Sequence, residues 1–159
     1  MTVAVSYAEL ADAEALAALF AAIVAPLDIY NEAARAAELA KFTASDFTRL
    51  IAADPSSVIV ARLEDRLSGF AITYDEHGPI WLEWYGVAPA ARGHGIGEQL
   101  LRFVLADAKR RGATRVWCDT LTSNATSIAL LEKLGFNLLC LLPDHWHGQD
   151  YFLWEFSPL

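Results

Sequence analysis

The chain has 159 residues, of which 55% are hydrophobic, and a formal net charge of −8 at pH 7. A domain of this size buries enough apolar surface to fold without disulfides or metal, and the composition is not that of a disordered chain. The negative charge argues against nucleic acid as a partner. We expect a single domain over residues 1–159.

Two cysteines, Cys118 and Cys140, each lie in an apolar run and match no metal or disulfide spacing. They predict buried thiols in a reducing compartment. The N-terminal stretch contains acidic residues and lacks the basic start of a secretion signal. Its longest charge-free segment, 15–27, is too short to cross a bilayer. We expect a cytoplasmic protein with no membrane contact.

The charge is unevenly distributed along the chain. Residues 92–133 contain seven Lys/Arg and four Asp/Glu, whereas the remainder contains five and sixteen. An anionic ligand would favour the first region and a cationic ligand the second. The basic run 109–111 also suits the C-terminal end of a predicted helix, so its charge does not by itself indicate a ligand.

The first half of the chain predicts a short strand, three helices and then three strands. The strand covers 3–7, and the first helix runs from Tyr7 to Val24, where Pro26 stops it. A second helix covers 31–41, and a third begins at a Ser45 cap and ends near Ala53. The apolar runs 57–63, 67–75 and 80–89 then predict an antiparallel meander.

The second half alternates helices and strands. A glycine-rich loop leads into a helix over 95–111, a strand over 114–120 and a helix over 123–135. Two last strands, 136–142 and 150–156, are joined by a loop over 143–149. This order predicts an α/β fold with a mixed sheet. An apolar strand surface near the C-terminus is compatible with a homodimer.

The stretch "ARGHGIG" at 91–97 has the properties of an anion-binding loop. It fails the dinucleotide fingerprint, which needs glycine where Glu98 stands, and it lacks the Lys-Ser/Thr of a Walker loop. Free backbone N–H groups at the helix start still favour an anion, and glycine permits close approach. Arg92 adds a cation beside the turn.

The run Arg92-Gly93-His94-Gly95-Ile96-Gly97 resembles the Arg/Gln-x-x-Gly-x-Gly/Ala signature of the GNAT superfamily of acyl-CoA N-acyltransferases. The strand ending at 85–89 and the later segment 124–136 resemble that family's flanking elements, in matching order. The resemblance implies a mostly antiparallel central sheet of about seven strands with helices on both faces. It also implies an acetyl-CoA-dependent N-acetyltransferase that transfers acetyl directly to the amine of a small molecule or a lysine side chain.

By this resemblance, loop residues 92–97 hold the CoA pyrophosphate, and no metal is needed. The backbone of Val87 and Ala88 pairs with the pantetheine arm, and Asn124 and Ser127 contact the arm from the other side. Asn124 equally suits the N-cap of the following helix, and both roles are compatible.

Acetyl transfer from a thioester to an amine requires a base that removes the proton of the amine. Glu83 is the candidate, because strand alternation places it on one face with Trp81 and Tyr85. Apolar neighbours make a carboxylate a stronger base. The alternative is a carboxylate that is exposed on the sheet or paired with an arginine.

This chain differs from the family at the position of the residue that protonates the leaving thiolate. The family commonly has a tyrosine seven residues after the asparagine, and this chain has Leu131 there. The protein is then either a pseudoenzyme that only binds or senses acyl-CoA, or an enzyme whose thiol leaves without full protonation. Tyr85 or Tyr151 are the candidates to replace the missing acid.

The segment 144–150 contains two histidines and two acids but matches no zinc pattern. The resemblance places it beside the acceptor site, where His145 or His147 would be a base or contact the acceptor. Plain surface histidines are the alternative. Tyr30 and Glu32 would line the opposite wall of that site. The negative balance outside 92–133 favours a cationic amine.

Overall fold

A computed structural model describes residues 1–158 as seven strands and five helices. Two single 3₁₀ turns, Leu10–Asp12 and Pro89–Ala91, precede α1 and α4. Among the described residues, no helix combines the length and hydropathy needed to cross a bilayer. The strands are β1 Val3–Tyr7, β2 Val58–Leu63, β3 Arg66–Asp75, β4 Ile80–Val87, β5 Val116–Leu121, β6 Asn137–Trp146 and β7 Gln149–Phe156. The helices are α1 Ala13–Val24, α2 Glu32–Leu39, α3 Ala44–Ala53, α4 Ile96–Arg110 and α5 Ala125–Lys133.

All seven strands form one sheet in the order β1-β2-β3-β4-β5-β7-β6. Neighbouring strands are antiparallel except β4 and β5, which run parallel. Helices α1 and α3 cover one face, around Phe20 and Phe70, and α4 and α5 cover the other, around Leu100 and Trp154. The predicted mixed, mostly antiparallel sheet with helices on both faces is confirmed.

Two helix starts differ from the sequence prediction. Helix α1 begins at Ala13 and not at Tyr7, because Val3–Tyr7 pairs along its whole length with β2. Helix α3 is capped by Thr43 and not by Ser45. The side chain of Thr43 accepts a hydrogen bond from the Asp46 N–H, and the Asp46 carboxylate accepts one from the Thr43 N–H. This reciprocal capping box satisfies two otherwise free donors.

The predicted loop over 143–149 is mostly strand. β6 continues to Trp146, and the turn is reduced to His147 and Gly148, whose φ angles are 48° and 73°. Pro143 is tolerated within β6 because this strand lies at the sheet edge, where an N–H is not needed for a ladder.

The edge position of β6 also changes the prediction for the cysteines. Cys118 on β5 is buried as expected, whereas Cys140 on β6 is exposed. Leu138, Leu139 and Leu141 on the same strand are about half exposed. The apolar strand surface expected near the C-terminus is therefore present, and the homodimer stays a prediction.

Two arginines of the basic run 109–111 pair with a buried carboxylate of their own helix and not with a ligand site. Arg110 and Arg111 both pair with Asp107, a carboxylate that is 2% exposed on α4. Tyr7 also donates to Asp107. A buried carboxylate needs such partners, so these cations are engaged away from the glycine-rich loop.

Candidate functional site

Strands β4 and β5 separate soon after they begin. They pair at Ile80 with Val116 and at Trp81 with Trp117, and no further pair joins them within the described chain. From there on, the backbone N–H and C=O groups on the facing edges of the two strands lack strand partners. An extended ligand that enters the gap can pair with these edges as an additional strand would.

A β-bulge at Glu83 lies at the point where the strands separate. The β3–β4 register passes from Thr73 opposite Leu82 to Ile72 opposite Trp84, which leaves Glu83 without a partner. The bulge interrupts the alternation of side chains, so Leu82 and Tyr85 both join the core under α4 and α5.

The bulge corrects one sequence expectation. Glu83 does share a face with Trp81, whose Nε1 donates to Glu83 Oε2 at 2.7 Å. Tyr85 does not share that face, because its hydroxyl reaches Ser127 on α5 at 2.8 Å. The two side chains therefore approach the gap from opposite faces of the sheet.

A cavity of about 760 Å³ passes through the gap and joins the two faces. Most of the predicted site residues line this cavity. The four that do not are Glu32, Ala88, His94 and His147. At the glycine-loop end the predicted residues in the lining are Val87, Arg92, Gly93, Gly95, Ile96, Gly97, Asn124 and Ser127. At the other end the lining includes Tyr30, Glu38, Lys41, Glu83, Asp119, His145, Trp146 and Tyr151.

The glycine-rich loop depends on left-handed backbone at two positions. Gly93 and Gly95 have φ angles of 82° and 72°, which a residue with a Cβ adopts only with strain. Gly95 is the N-cap of α4, so the first free N–H groups of that helix border the cavity. Helix starts of this kind favour bound anions.

The charged groups of the loop are consistent with an anion site. Arg92 is exposed, lines the cavity and forms no ion pair within residues 1–158. Glu98 pairs with Lys133 and Arg102, and these hydrogen bonds lower the pKa of its carboxyl. Its negative charge is thereby balanced locally. The His94 ring lies within 3.1 Å of the carbonyls of residues 91 and 92 and so contacts the loop itself.

Ala88 is not free to pair with a ligand in the way that was expected. Its N–H donates to the Ser68 carbonyl at 2.8 Å, and its own carbonyl accepts from the Ala91 N–H at 2.9 Å. The cavity lining at this end of β4 comes from Val87.

Asn124 caps α5, as one of its two predicted roles requires. Its Oδ1 accepts from the Ser127 N–H at 3.2 Å, and both side chains line the cavity. The Tyr85 hydroxyl donates a hydrogen bond to the Ser127 hydroxyl. Burial raises the pKa of Tyr85 to about 12. Leu131 is fully buried in the core and does not line the cavity. The hydroxyl pair of Tyr85 and Ser127 is thus the polar group of this wall.

Three carboxylates line the far end of the cavity: Glu38, Glu83 and Asp119. The Lys41 ammonium lies 3.5 Å from Glu38 and 3.2 Å from Glu83, and 4.9 Å from the centre of the Trp146 ring. Burial raises the pKa of Glu38, with Lys41 opposing this effect. We call this end of the cavity the acidic compartment.

His145 lies on the opposite wall of the acidic compartment from Glu83. Its Nε2 is 3.1 Å from Oδ2 of Asp119, and its ring packs edge-on against Tyr151. Burial raises the pKa of Asp119, and the hydrogen bond from His145 opposes this rise. A carboxylate that orients an imidazole in this way forms a pair able to carry a proton.

Sequence reasoning missed Glu38, Lys41 and Asp119. Glu38 follows the fully buried Ala34 by four residues and therefore lies on the buried face of α2. A charged residue on the apolar face of a helix is a signal that could have identified it. Glu32, which was expected in this wall, is exposed in the first turn of α2.

A set of hydrogen bonds joins the α1–α2 connection to the β6–β7 turn, and we call it the clasp. Asn31 donates from its backbone to Gln149 Oε1 at 3.0 Å and from its side chain to the His147 carbonyl at 2.7 Å. Gln149 Nε2 donates to the Ile29 carbonyl at 2.9 Å. Tyr30 and Trp146, on the two sides of the clasp, both line the cavity. The clasp therefore borders the acidic compartment.

Within residues 1–158, no group of three or more His, Cys, Asp or Glu side chains is arranged to hold a metal ion. The His145–Asp119 pair lacks a third ligand. The two histidines and two acids of 144–150 thus form no metal site in the described chain.

The model of the acetyltransferase (GNAT) family matches residues 24–136. The [ribosomal protein bS18]-alanine N-acetyltransferase of Salmonella typhimurium is 36% identical over 74 residues, 46% of this chain and 50% of that protein. Streptothricin acetyltransferase of Streptomyces lavendulae is 33% identical over 86 residues, 53% of this chain and 46% of that protein. The matches span about half the length of these curated relatives.

Solved structures agree in fold. The YncA protein of Salmonella typhimurium, solved with its cofactor acetyl-CoA, superposes with a TM-score of 0.82 at 19% identity, over 99% of this chain and 95% of that one. At this identity the likeness concerns the fold alone. The family model, however, covers most of the chain and includes the glycine-rich loop. The chain therefore belongs to the GNAT family of acetyltransferases.

Proposed function

We propose that the protein is an acetyl-CoA-dependent N-acetyltransferase that transfers acetyl directly to the amine of a small cationic molecule. One observation carries this proposal: a single cavity joins an anion-binding loop to a compartment lined by carboxylates. The named relatives that act on a ribosomal protein and on streptothricin are acetyltransferases. A neighbour of the same fold holds acetyl-CoA.

CoA would lie along the gap between β4 and β5. The N–H groups at the start of α4 and the Arg92 guanidinium are suited to the pyrophosphate. The pantetheine arm, which is extended and amide-bearing, would pair with the free edge of β4 at Val87. Asn124 keeps its amide N–H groups for the arm, because its cap uses the oxygen.

The acceptor amine would enter the acidic compartment as an ammonium ion and lose a proton to Glu83, directly or through a water molecule. Its nitrogen then attacks the thioester carbonyl, so that a C–N bond forms and the C–S bond breaks. Free N–H groups on the β4 edge are suited to the negative charge that develops on the carbonyl oxygen. The CoA thiolate leaves and takes a proton from the Tyr85 hydroxyl, which is the acid that we assign. The second proton that the nitrogen loses as the amide forms returns Tyr85 to its neutral state.

Direct transfer is supported by the raised pKa of the Cys118 thiol, which lies in the cavity wall. Cys118 lines the cavity, but burial raises the pKa of its thiol well above the ordinary value. A thiol that remains protonated is a poor nucleophile. An acetyl-cysteine intermediate is therefore disfavoured, and the amine itself is the group that attacks the thioester.

The proposed base can be tested against the His145–Asp119 pair. Glu83→Gln should lower kcat/KM for the amine by about 10²–10⁴-fold and change its pH profile. His145→Gln is the matched variant on the opposite wall. If Glu83→Gln retains the wild-type rate and profile while His145→Gln loses them, the base is His145 and the assignment to Glu83 fails.

A second candidate function is a non-catalytic module that binds or senses acyl-CoA. The observation that favours it is Leu131, a buried apolar side chain where the family commonly has a tyrosine acid. Both functions predict stabilisation by acetyl-CoA. A broad panel of amines, assayed by release of the free CoA thiol, separates them. Amine-dependent release supports the enzyme, and no release above hydrolysis with any amine supports the module.

A further inference from the structure

The acidic compartment has more negative charge than its own cation can balance. Glu38, Glu83 and Asp119 line it, while Lys41 is the one lysine or arginine in the lining of that end. Asp119 accepts a hydrogen bond from Nε2 of His145. At this end of the cavity, three carboxylates therefore lie beside one permanently charged cation.

Glu38 has an unfilled position for a cation. It is 3% exposed as a residue and lines the cavity wall. Its ion pair is with Lys41 at 3.5 Å, and the other carboxylate oxygen has no ion-pair partner in the described chain. The Trp84 indole also lies near enough to favour the ionised form. Buried charge is stabilised by ion pairing, and a bound cation would give the second carboxylate oxygen of Glu38 an ion-pair partner as well.

Lys41 shows which kind of cation this wall accommodates. Its ammonium contacts both Glu38 and Glu83 and lies over the Trp146 ring. A primary alkylammonium is therefore compatible with carboxylates and an aromatic face together. Tyr30 and Tyr151 extend the aromatic lining around the remaining carboxylates.

The clasp limits the size of the acceptor. Its three hydrogen bonds tie the two segments that border the compartment, and Tyr30 and Trp146 lie on its inner side with ring centres 6.5 Å apart. The whole cavity measures about 760 Å³, and the pantetheine arm must share it. The tied segments and the shared volume favour a small molecule over the terminus of a folded protein as the acceptor.

We infer that the acceptor is a small aliphatic molecule with two amino groups, one of which reacts at Glu83 while the other stays charged and binds Glu38. This inference rests on the proposed acetyltransferase function. An acceptor of this class adds positive charge to a compartment in which carboxylates outnumber lysine and arginine, and it gives Glu38 a second cationic partner. An aliphatic diamine is the simplest member.

The inference is tested with three acceptors of equal chain length: butane-1,4-diamine, 4-aminobutan-1-ol and butylamine. A hydrogen bond to a charged group contributes about 1.5–3 kcal/mol, which corresponds to roughly 10–150-fold in kcat/KM. The diamine should exceed both monoamines by a factor in this range. Glu38→Gln should bring the diamine-to-amino-alcohol ratio close to one. Glu132→Gln, at an exposed carboxylate on α5, should keep the wild-type ratio.

The outcomes distinguish this inference from the function on which it rests. If no amine releases CoA thiol, the proposed function fails. If the amines react but wild-type enzyme treats the diamine and the amino alcohol alike, the inference is overturned and the function stands. A peptide with an N-terminal alanine that exceeds the diamine also overturns it. Acetyl-CoA binding and thermal melting verify that Glu38→Gln is folded, and the wild-type series is informative without that variant.

Discussion

Replacing Gly86 with alanine tests the packing that shapes the acidic compartment. A Cβ at this position would lie 2.5 Å from two ring carbons of Trp84 and 3.2 Å from Cδ1 of Ile23. The Trp84 ring cannot yield easily, because it stacks on Phe70 and meets Phe20 edge-on, with both pairs of ring centres 5.1 Å apart. The added methyl group must therefore displace an aromatic side chain from a packed cluster.

The expected loss of stability follows from this overlap. Overpacking a well-filled site costs about 1–3 kcal/mol, and a domain of this length loses about 2–4 °C of Tm per kcal/mol. Gly86→Ala should therefore unfold roughly 2–12 °C below the wild type. The KM for the acceptor should also rise, because Trp84 lines the compartment from which it is displaced.

Gly97→Ala is the matched control. Its Cβ would lie 3.6 Å from Leu130 and 3.7 Å from Val87, which is ordinary contact, and its φ is not left-handed. This variant should stay within about 0.5 kcal/mol of the wild type. Urea unfolding followed by tryptophan fluorescence measures both variants. Equal free energies of unfolding for Gly86→Ala and Gly97→Ala would refute the packing argument.

Three further changes have defined outcomes. Asn124→Ala removes the cap of α5 and should lower the free energy of unfolding by about 1 kcal/mol. Asn124→Asp keeps the accepting oxygen and should retain most of that stability. Equal losses of stability in the two variants would contradict the role of Asn124 as a cap. Glu38→Gln should raise Tm near pH 8 and leave it almost unchanged near pH 4. Burial raises the pKa of Glu38, so the folded protein holds this proton more tightly than the unfolded chain, and that stabilisation is lost as pH rises through the raised pKa. A pH-independent change in Tm would contradict this sign. Gln149→Ala removes two hydrogen bonds of the clasp and should speed amide exchange in the α1–α2 connection, while Gln149→Glu keeps the acceptor for Asn31 and should speed it less. Equal exchange in all three proteins would show that the clasp does not hold that connection.

The sequence was sufficient to predict the features that depend on local pattern. The order of helices and strands followed from hydrophobic period, and the loop 91–97 was found from its glycines and from the helix behind it. Asn124 as a cap also followed from its place before α5. Each of these signals lies within a few residues of the structure that it predicts.

The features that were missed depend on contacts between distant segments. The bulge at Glu83 is a matter of register between β3 and β4, and alternation within one strand could not predict it. Asp119 becomes a site residue because β5 separates from β4, and Glu38 because α2 reaches the same cavity. Cys140 is exposed because β6 is the edge strand, which no local apolar pattern specifies.

The central claim is that acetyl passes directly from CoA to an amine within one cavity. The most direct measurement is the release of CoA thiol from acetyl-CoA mixed with excess enzyme, first alone and then with a diamine. Direct transfer predicts no release from the enzyme alone, apart from slow hydrolysis, and rapid release when the amine is added. A burst of thiol that is stoichiometric with enzyme before any amine is present would contradict direct transfer, and no release after addition of any amine would contradict the enzyme itself.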